Sequence, residues 1–191
     1  MVRTTGNTSL RSIAHFIVGV HIMQQLILLF LDITMLRRGP QDVPAASWLL
    51  KLLVPIYALI NVVVLLIDGY WSTALLQVAV DFLLMLGFSW PLLYFSGKSA
   101  RFPQTLCALL GTDSLITLCA IPAIASLVAE PSELGYIAML ILMVWHWLVG
   151  GHIFRSALDK PLFFGLGLSV LYILISSQVM ALLFPVISTP S

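Results

Sequence analysis

Five long apolar runs fill most of the chain after residue 47, and they constrain its fold more than any other feature of the sequence. Each run has about the 20 residues that an α-helix needs to cross the ~30 Å hydrocarbon core of a bilayer. Of the 191 residues, 60% are hydrophobic and only 9% are charged, whereas soluble domains carry about 25% charged residues. The sequence therefore predicts an all-α, polytopic membrane bundle with five transmembrane helices, at about residues 48–67, 72–96, 104–128, 134–154 and 162–186.

The segment before these runs, residues 1–38, is predicted to form a hydrophobic, amphipathic helix ahead of the five-helix bundle of residues 48–186. Drawn as a helix, it places four polar residues within one sector about 100° wide. They are His21, Gln24, Gln25 and Asp32. Two arrangements fit this pattern: an interfacial helix on the membrane surface, or a sixth spanning helix whose polar edge faces protein. Either way, the chain is a single integral membrane domain.

Lys and Arg residues are concentrated in alternate connections between the runs. They occur around residues 37–51, 98–101 and 155–160, whereas the turns at 68–71 and 129–135 have none. Because basic loops stay on the cytoplasmic side, the C-terminus is predicted to lie outside. An interfacial first segment would place all nine basic residues inside, so we favour that arrangement. Nine basic against eight acidic residues leave no excess that would indicate a nucleic-acid partner.

Two polar residues interrupt the hairpin formed by the first two runs. Asn61 and Asp81 each lie ten residues from Trp71, which is in the turn between the runs. On helices, both lie about 15 Å from that turn, near the bilayer centre, where a carboxyl group is costly. One interpretation is a proton or cation site, with Asp81 titrating and Asn61 and Gln77 as ligands. The other is an interhelical hydrogen bond between Asn61 and a protonated Asp81. We favour the second, because no Lys or Arg is predicted at that depth.

A second carboxyl, Asp113, lies about ten residues into the run at 104–128, close to the predicted depth of Asp81. With Asn61, these carboxyls form either a relay or two independent hydrogen-bonded acids. His146 of the next run completes a candidate intramembrane polar site of Asn61, Gln77, Asp81, Asp113 and His146. No compact Cys/His pattern indicates a metal, so we predict no metal and no cofactor. No nucleophile and base can be paired, so we predict no enzyme activity.

The last run carries a narrow face of small or hydroxyl-bearing residues, at spacings of four, three and four. These are Gly165, Ser169, Tyr172 and Ser176. Small residues let helices approach closely in lipid. We therefore predict a helix-packing face, with self-association as the second interpretation.

Two connections carry a family resemblance. Residues 96–106 read SGKSARFPQTL, and residues 155–161 read RSALDKP. They resemble the Gly-Lys turn and the Arg-x-Ala-Leu-x-x-Pro turn of bacterial Yip1-like membrane proteins, and the likeness continues in outline from about Trp48 to Val186. Ser96 and Thr112-Asp113 depart from the family pattern. The resemblance implies an all-helical, five-span domain of the bacterial cytoplasmic (inner) membrane, with the N-terminus inside and the C-terminus outside.

Two functions fit these observations. The favoured one is a binding or assembly (scaffold) protein of the Yip1-like class, whose partners are the lipid bilayer and either other membrane proteins or further copies of itself. The alternative is a small transporter or channel subunit that uses Asp81 and Asp113 for proton or cation passage. The two functions differ in whether water reaches Asp81, since a transporter needs a wet path and a scaffold buries the acid.

Overall fold

The computed structural model describes residues 5–185, with side chains for residue 19 and residues 21–185. Within that part of the chain every regular element is helical. The helices are α1 (Thr5–Thr34), α2 (Ser47–Ile67), α3 (Ala74–Phe95), α4 (Phe102–Ala129), α5 (Glu133–Leu158) and α6 (Leu162–Leu183). Short 3₁₀ turns at Pro40–Asp42 and Ser99–Arg101 precede α2 and α4.

The five predicted spans correspond to α2 to α6, and all five helices are long and apolar enough to cross a bilayer. The prediction of an all-α, multi-pass membrane bundle is confirmed. The largest difference in boundary is at the end of α5, which runs four residues beyond its predicted limit to Leu158. Ala157 and Leu158 are buried against Leu93 of α3. This packing extends the helix beyond the purely apolar run, which hydropathy alone does not detect.

The five helices alternate in direction, which gives the bundle two distinct ends. The basic end carries the connections at 96–101 and 159–161, and the acidic end carries those at 68–73 and 130–132. α4 is the central helix, since half of its most apolar stretch is buried inside the bundle, against 6% for α6. α2 packs mainly on α4 rather than on α3, and α5 packs between α4 and α6.

The side chains of α1 that the structure describes pack mainly against α4. The Phe30 ring lies so close to Gly111 of α4 that a Cβ atom there would be 2.4 Å from it. The Thr34 carbonyl accepts a 2.9 Å hydrogen bond from the Trp145 indole of α5. Further along, the Arg38 carbonyl lies 2.8 Å from Nε2 of His152. α1 and the residues after it thus pack against α4 and α5, and the choice between an interfacial and a sixth spanning helix stays a prediction.

A cluster of charged side chains, the basic-end clamp, joins the two connections at the basic end. Asp159 lies 2.7 Å from Nζ of Lys98 and 2.9 Å from Nη1 of Arg101. Both cations also donate to the last carbonyls of α5, Lys98 to Leu158 and Arg101 to Ala157. The hydrogen bonds from Lys98 and Arg101 lower the pKa of Asp159 to about 2. The clamp thus satisfies carbonyls that the end of a helix leaves free.

Candidate intramembrane carboxyl site

Asp81 and Asp113 line one cavity of about 210 Å³ between α3, α4, α5 and α6. We call it the carboxyl cavity. Its other polar lining residues are Thr112, His146, Ser169, Tyr172 and Ser176. A polar cavity needs only ~10–15 Å³ of such volume for each water, so this one can hold several. The two acids that the sequence placed at similar depth therefore share one polar space.

Asp81 accepts hydrogen bonds from hydroxyl groups of two other helices. Tyr57 of α2 donates to Oδ2 over 2.5 Å. Ser176 and Tyr172 of α6 donate to Oδ1 over 3.3 Å and 3.5 Å. All three partners are neutral hydroxyls, each able to donate and to accept a hydrogen bond. Asp81 thereby connects α2, α3 and α6 without any ion pair.

Asp113 has a different set of partners, an amide and an imidazole. Nδ2 of Asn61 donates to Oδ2 of Asp113 over 3.2 Å, and it also donates to the Tyr57 carbonyl over 3.1 Å. Nε2 of His146 lies 3.8 Å from Oδ1 of Asp113. The Asp113 side chain is only 15% exposed and that of His146 is 41% exposed, so the imidazole is the more accessible of the two groups.

The hydrogen bond between Asn61 and Asp81 that we expected from the hairpin is not made. Asn61 donates to Asp113 instead, because α2 packs on α4 rather than on its hairpin neighbour α3. Tyr57, one helical turn before Asn61, takes the place beside Asp81. Tyr57 is not among the residues that we predicted for the site. Its spacing of four residues from Asn61 put both on one face of α2, and this was the signal available.

Gln77 does not contact either acid through a hydrogen bond. Its side-chain amide donates over 2.8 Å to Oγ1 of Thr73, the residue just before α3. Gln77 does line a cavity of about 140 Å³ together with Tyr57, Asn61 and Asp81. It is therefore near the carboxyl site rather than part of its hydrogen-bonded centre.

Two further cavities adjoin the carboxyl cavity on the side of the acidic end. The 140 Å³ cavity shares Asp81 with it. A cavity of about 350 Å³, lined by Thr117 and Met139 among others, shares His146. Asn61 lines both of these neighbouring cavities. Asp81 and His146 thus lie between the carboxyl cavity and two cavities that extend toward the acidic end.

The face of α6 that we expected to pack has two different neighbours along its length. A Cβ atom on Gly165 would lie 2.2 Å from the Gly151 carbonyl of α5, and Ser169 donates to the Trp147 carbonyl over 3.2 Å. Tyr172 and Ser176, farther along, point to Asp81. The first half of the face lies against α5, and the second half lines the carboxyl cavity.

Among the residues that the structure describes, no three His, Cys, Asp or Glu side chains are grouped so that they could hold a metal ion. His21 is exposed on α1 and pairs with Gln25 on the same helix, away from His146. The chemistry of the site is therefore described by its two carboxyls, its hydroxyls, one amide and one imidazole.

Comparisons of the chain with protein-family models, with curated proteins and with solved structures found no match. The resemblance to Yip1-like proteins therefore stays a prediction, and the function is argued from the site alone.

Proposed function

We propose that the chain is a small transporter or channel subunit that passes protons or monovalent cations by way of Asp81 and Asp113. The observation that carries this proposal is that both carboxyls line one cavity whose lining contains no Lys or Arg. Ionised carboxyls at membrane depth need a positive partner. The described protein supplies none at this position apart from His146, so a proton or a cation that enters the cavity is the natural partner.

The hydrogen-bonding groups around the acids suit proton movement. Tyr57, Tyr172 and Ser176 surround Asp81, and a hydroxyl can accept a proton on one side while it donates on the other. The imidazole of His146 beside Asp113 has one ring nitrogen that can accept a proton and one that can donate a proton. The two acids and these neighbours therefore form a set of groups that can exchange protons across the cavity.

The surrounding packing supports access from one side. The two cavities that adjoin the carboxyl cavity extend toward the acidic end. On the other side, Met85 and Phe154 are buried, and beyond them lie the buried Leu93 and Leu158. With the basic end assigned to the cytoplasm by the positive-inside rule, these two cavities would lie in the outer half of the bundle. We propose the bacterial cytoplasmic membrane as the location, with the C-terminus outside.

The assembly role, which the sequence favoured, is our second proposal, and one observation supports it. Both acids already have hydrogen-bond partners on neighbouring helices. If they stay protonated, such contacts would hold the bundle together without any transport. A scaffold of the Yip1-like class would use the outer faces of the bundle to contact its partners.

Ion flux through liposomes that contain the purified chain separates these two functions. We expect the wild-type protein to dissipate an imposed pH gradient or a Na⁺ or K⁺ gradient. Asp81→Asn and Asp113→Asn should each lower that flux at least about tenfold, which corresponds to about 1.4 kcal/mol. Both variants should fold, because an amide closely replaces a hydrogen-bonded carboxyl.

Asp68→Asn is the matched control, since it removes a carboxyl at the acidic end, outside the helices. Its flux should equal that of the wild type. Absence of wild-type flux, or equal flux in all four proteins, would contradict the transport proposal and leave the assembly role.

A further inference from the structure

A groove of about 560 Å³ opens near the basic end, between α1, the residues that follow it and the start of α2. One part of its wall is apolar and includes Ile22, Leu26 and Leu29 of α1. The other part is charged and consists of Asp32, Arg38 and Asp42. We call this the α1 groove. It is separate from the carboxyl cavity, and no lining residue is common to the two.

The charged part of the α1 groove keeps free hydrogen-bonding capacity. Nε of Arg38 lies 3.3 Å from Oδ2 of Asp32, and these side chains are 54% and 34% exposed. Oδ2 of Asp42 accepts a 2.9 Å hydrogen bond from the Gly39 N–H. A guanidinium has five N–H donors and a carboxylate has two oxygens. Each of the three groups can therefore contact a ligand without giving up its present partner.

The order of these groups matches an amphipathic molecule that is oriented along the membrane normal. Trp48, the second residue of α2, lines the groove and is half exposed. Tryptophan prefers the membrane–water interface, which puts the charged part at the depth of lipid headgroups. The apolar part continues along α1 toward the membrane interior.

We propose that the α1 groove binds a phospholipid with a zwitterionic, amine-bearing headgroup. Arg38 binds the phosphate, since a guanidinium matches phosphate oxygens. Asp32 and Asp42 bind the ammonium group, and the apolar wall holds an acyl chain. Two carboxylates against one guanidinium give the groove a formal charge of −1. This charge favours a zwitterionic headgroup over an anionic one.

The site has a structural consequence, because the groove lies between α1 and α2. A lipid bound there would fill the space beside the packed half of α1 and hold it against the bundle. The proposal is independent of ion flux, since it involves none of the groups around Asp81 and Asp113.

Native mass spectrometry of the detergent-purified protein with equimolar phosphatidylethanolamine and phosphatidylglycerol tests this proposal. We expect the wild type to retain phosphatidylethanolamine in preference to phosphatidylglycerol. Arg38→Gln should lower that retention about tenfold or more, the effect of losing one charge-assisted hydrogen bond. Arg37→Gln is the matched control, because the neighbouring Arg37 is exposed and does not line the groove. It should behave as the wild type.

A second variant and a competitor make the result independent of how well Arg38→Gln folds. The double substitution Asp32→Asn and Asp42→Asn removes the negative charges, so the preference should shift toward phosphatidylglycerol. Soluble glycerophosphoethanolamine should not displace the lipid, because it lacks the acyl chains. Equal retention by the Arg37 and Arg38 variants, an unchanged preference in the double variant, or displacement by the soluble headgroup would overturn the proposal.

Discussion

The carboxyl cavity and the basic-end clamp both hold an aspartate between side chains of other segments, but they neutralise its charge differently. In the clamp, Asp159 is 60% exposed and has two cations within 3 Å, at 2.7 Å and 2.9 Å. In the cavity, Asp113 is 15% exposed, and its neighbours are the amide of Asn61 and the imidazole of His146. The clamp therefore supplies its own counter-charges, whereas the cavity lining contains no Lys or Arg.

This difference separates a structural carboxyl from one that is suited to exchange. An exposed carboxylate between two fixed cations stays ionised, and it contributes to the connection between helix ends. A carboxyl surrounded by hydroxyls, an amide and an imidazole can take up and release a proton or a cation. We expect the largest effects of substitution in the bundle, smaller ones in the cavity and the smallest in the clamp.

We expect the largest effect on stability at the close contact between α5 and α6. Gly165→Ala would place a Cβ atom 2.2 Å from the Gly151 carbonyl, so α5 and α6 would have to separate. The unfolding free energy, measured by denaturant titration in mixed micelles, should fall by about 1–3 kcal/mol. Gly167→Ala is the control, since its added Cβ atom would meet nothing within 4 Å. Equal stabilities would show that this contact does not limit the packing.

A fixed cation in the cavity should make it resemble the clamp. In His146→Arg, a permanent positive charge lies beside Asp113 and holds it in an ion pair, so the flux through liposomes should fall about tenfold, or ~1.4 kcal/mol. His21→Arg is the control, because His21 is exposed on α1 and its replacement should leave the flux unchanged. Unimpaired flux in His146→Arg would contradict the idea that flux depends on a carboxyl cavity without a fixed positive charge.

The next largest effect on stability is expected from removal of the Tyr57 hydroxyl group. Tyr57→Phe loses the 2.5 Å hydrogen bond to Asp81 and keeps the ring, so the unfolding free energy should fall by about 1 kcal/mol. Tyr136→Phe, at an exposed position near the start of α5, should have no such effect. If the two variants are equally stable, the phenol contributes nothing to the site.

The smallest effect is expected at the clamp. Hydrogen bonds from Lys98 and Arg101 lower the pKa of Asp159 to about 2, below the ~3.9 of a free aspartate. A carboxyl with a lowered folded-state pKa stabilises the protein above about pH 4, and this contribution disappears as the pH falls toward 2. Asp159→Asn should therefore lower the melting temperature slightly at pH 7, and the difference from the wild type should vanish near pH 2.

Asp68→Asn is the control for this measurement, because burial raises the pKa of Asp68. A raised pKa means that folding disfavours the ionised form. Its replacement should leave the melting temperature at pH 7 unchanged or slightly higher. A pH-independent difference between wild type and Asp159→Asn would contradict the assigned role of the clamp.

The sequence predicted the helices because the length and hydropathy of a run are local properties. α2 and α6 begin within one residue of their predicted first residues. Gly69 and Gly97 adopt positive φ in the turns between helices. Which helices face each other depends instead on how similar apolar surfaces fit together. Asn61 therefore donates to Asp113 rather than to Asp81. The spacing of residues within one hairpin could not predict this contact between α2 and α4.

The first segment shows the same limit of sequence reasoning. Its polar sector was compatible with a flat or a spanning helix, and it did not indicate that Phe30 packs against Gly111 of α4. Likewise, the two turns at 96–106 and 155–161 were recognised separately in the sequence. The structure brings Lys98 and Arg101 of the first to Asp159 of the second, a contact that neither turn indicates alone.

The central claim is that Asp81 and Asp113 act as one site, and a double-mutant cycle of ion flux tests it most directly. Proton and cation flux would be measured for the wild type, Asp81→Asn, Asp113→Asn and the double variant in the same liposomes. Because residues of one functional unit are not additive, the double variant should lose no more flux than either single variant. Multiplied losses would mean two independent sites, and undiminished flux in the double variant would contradict the claim altogether.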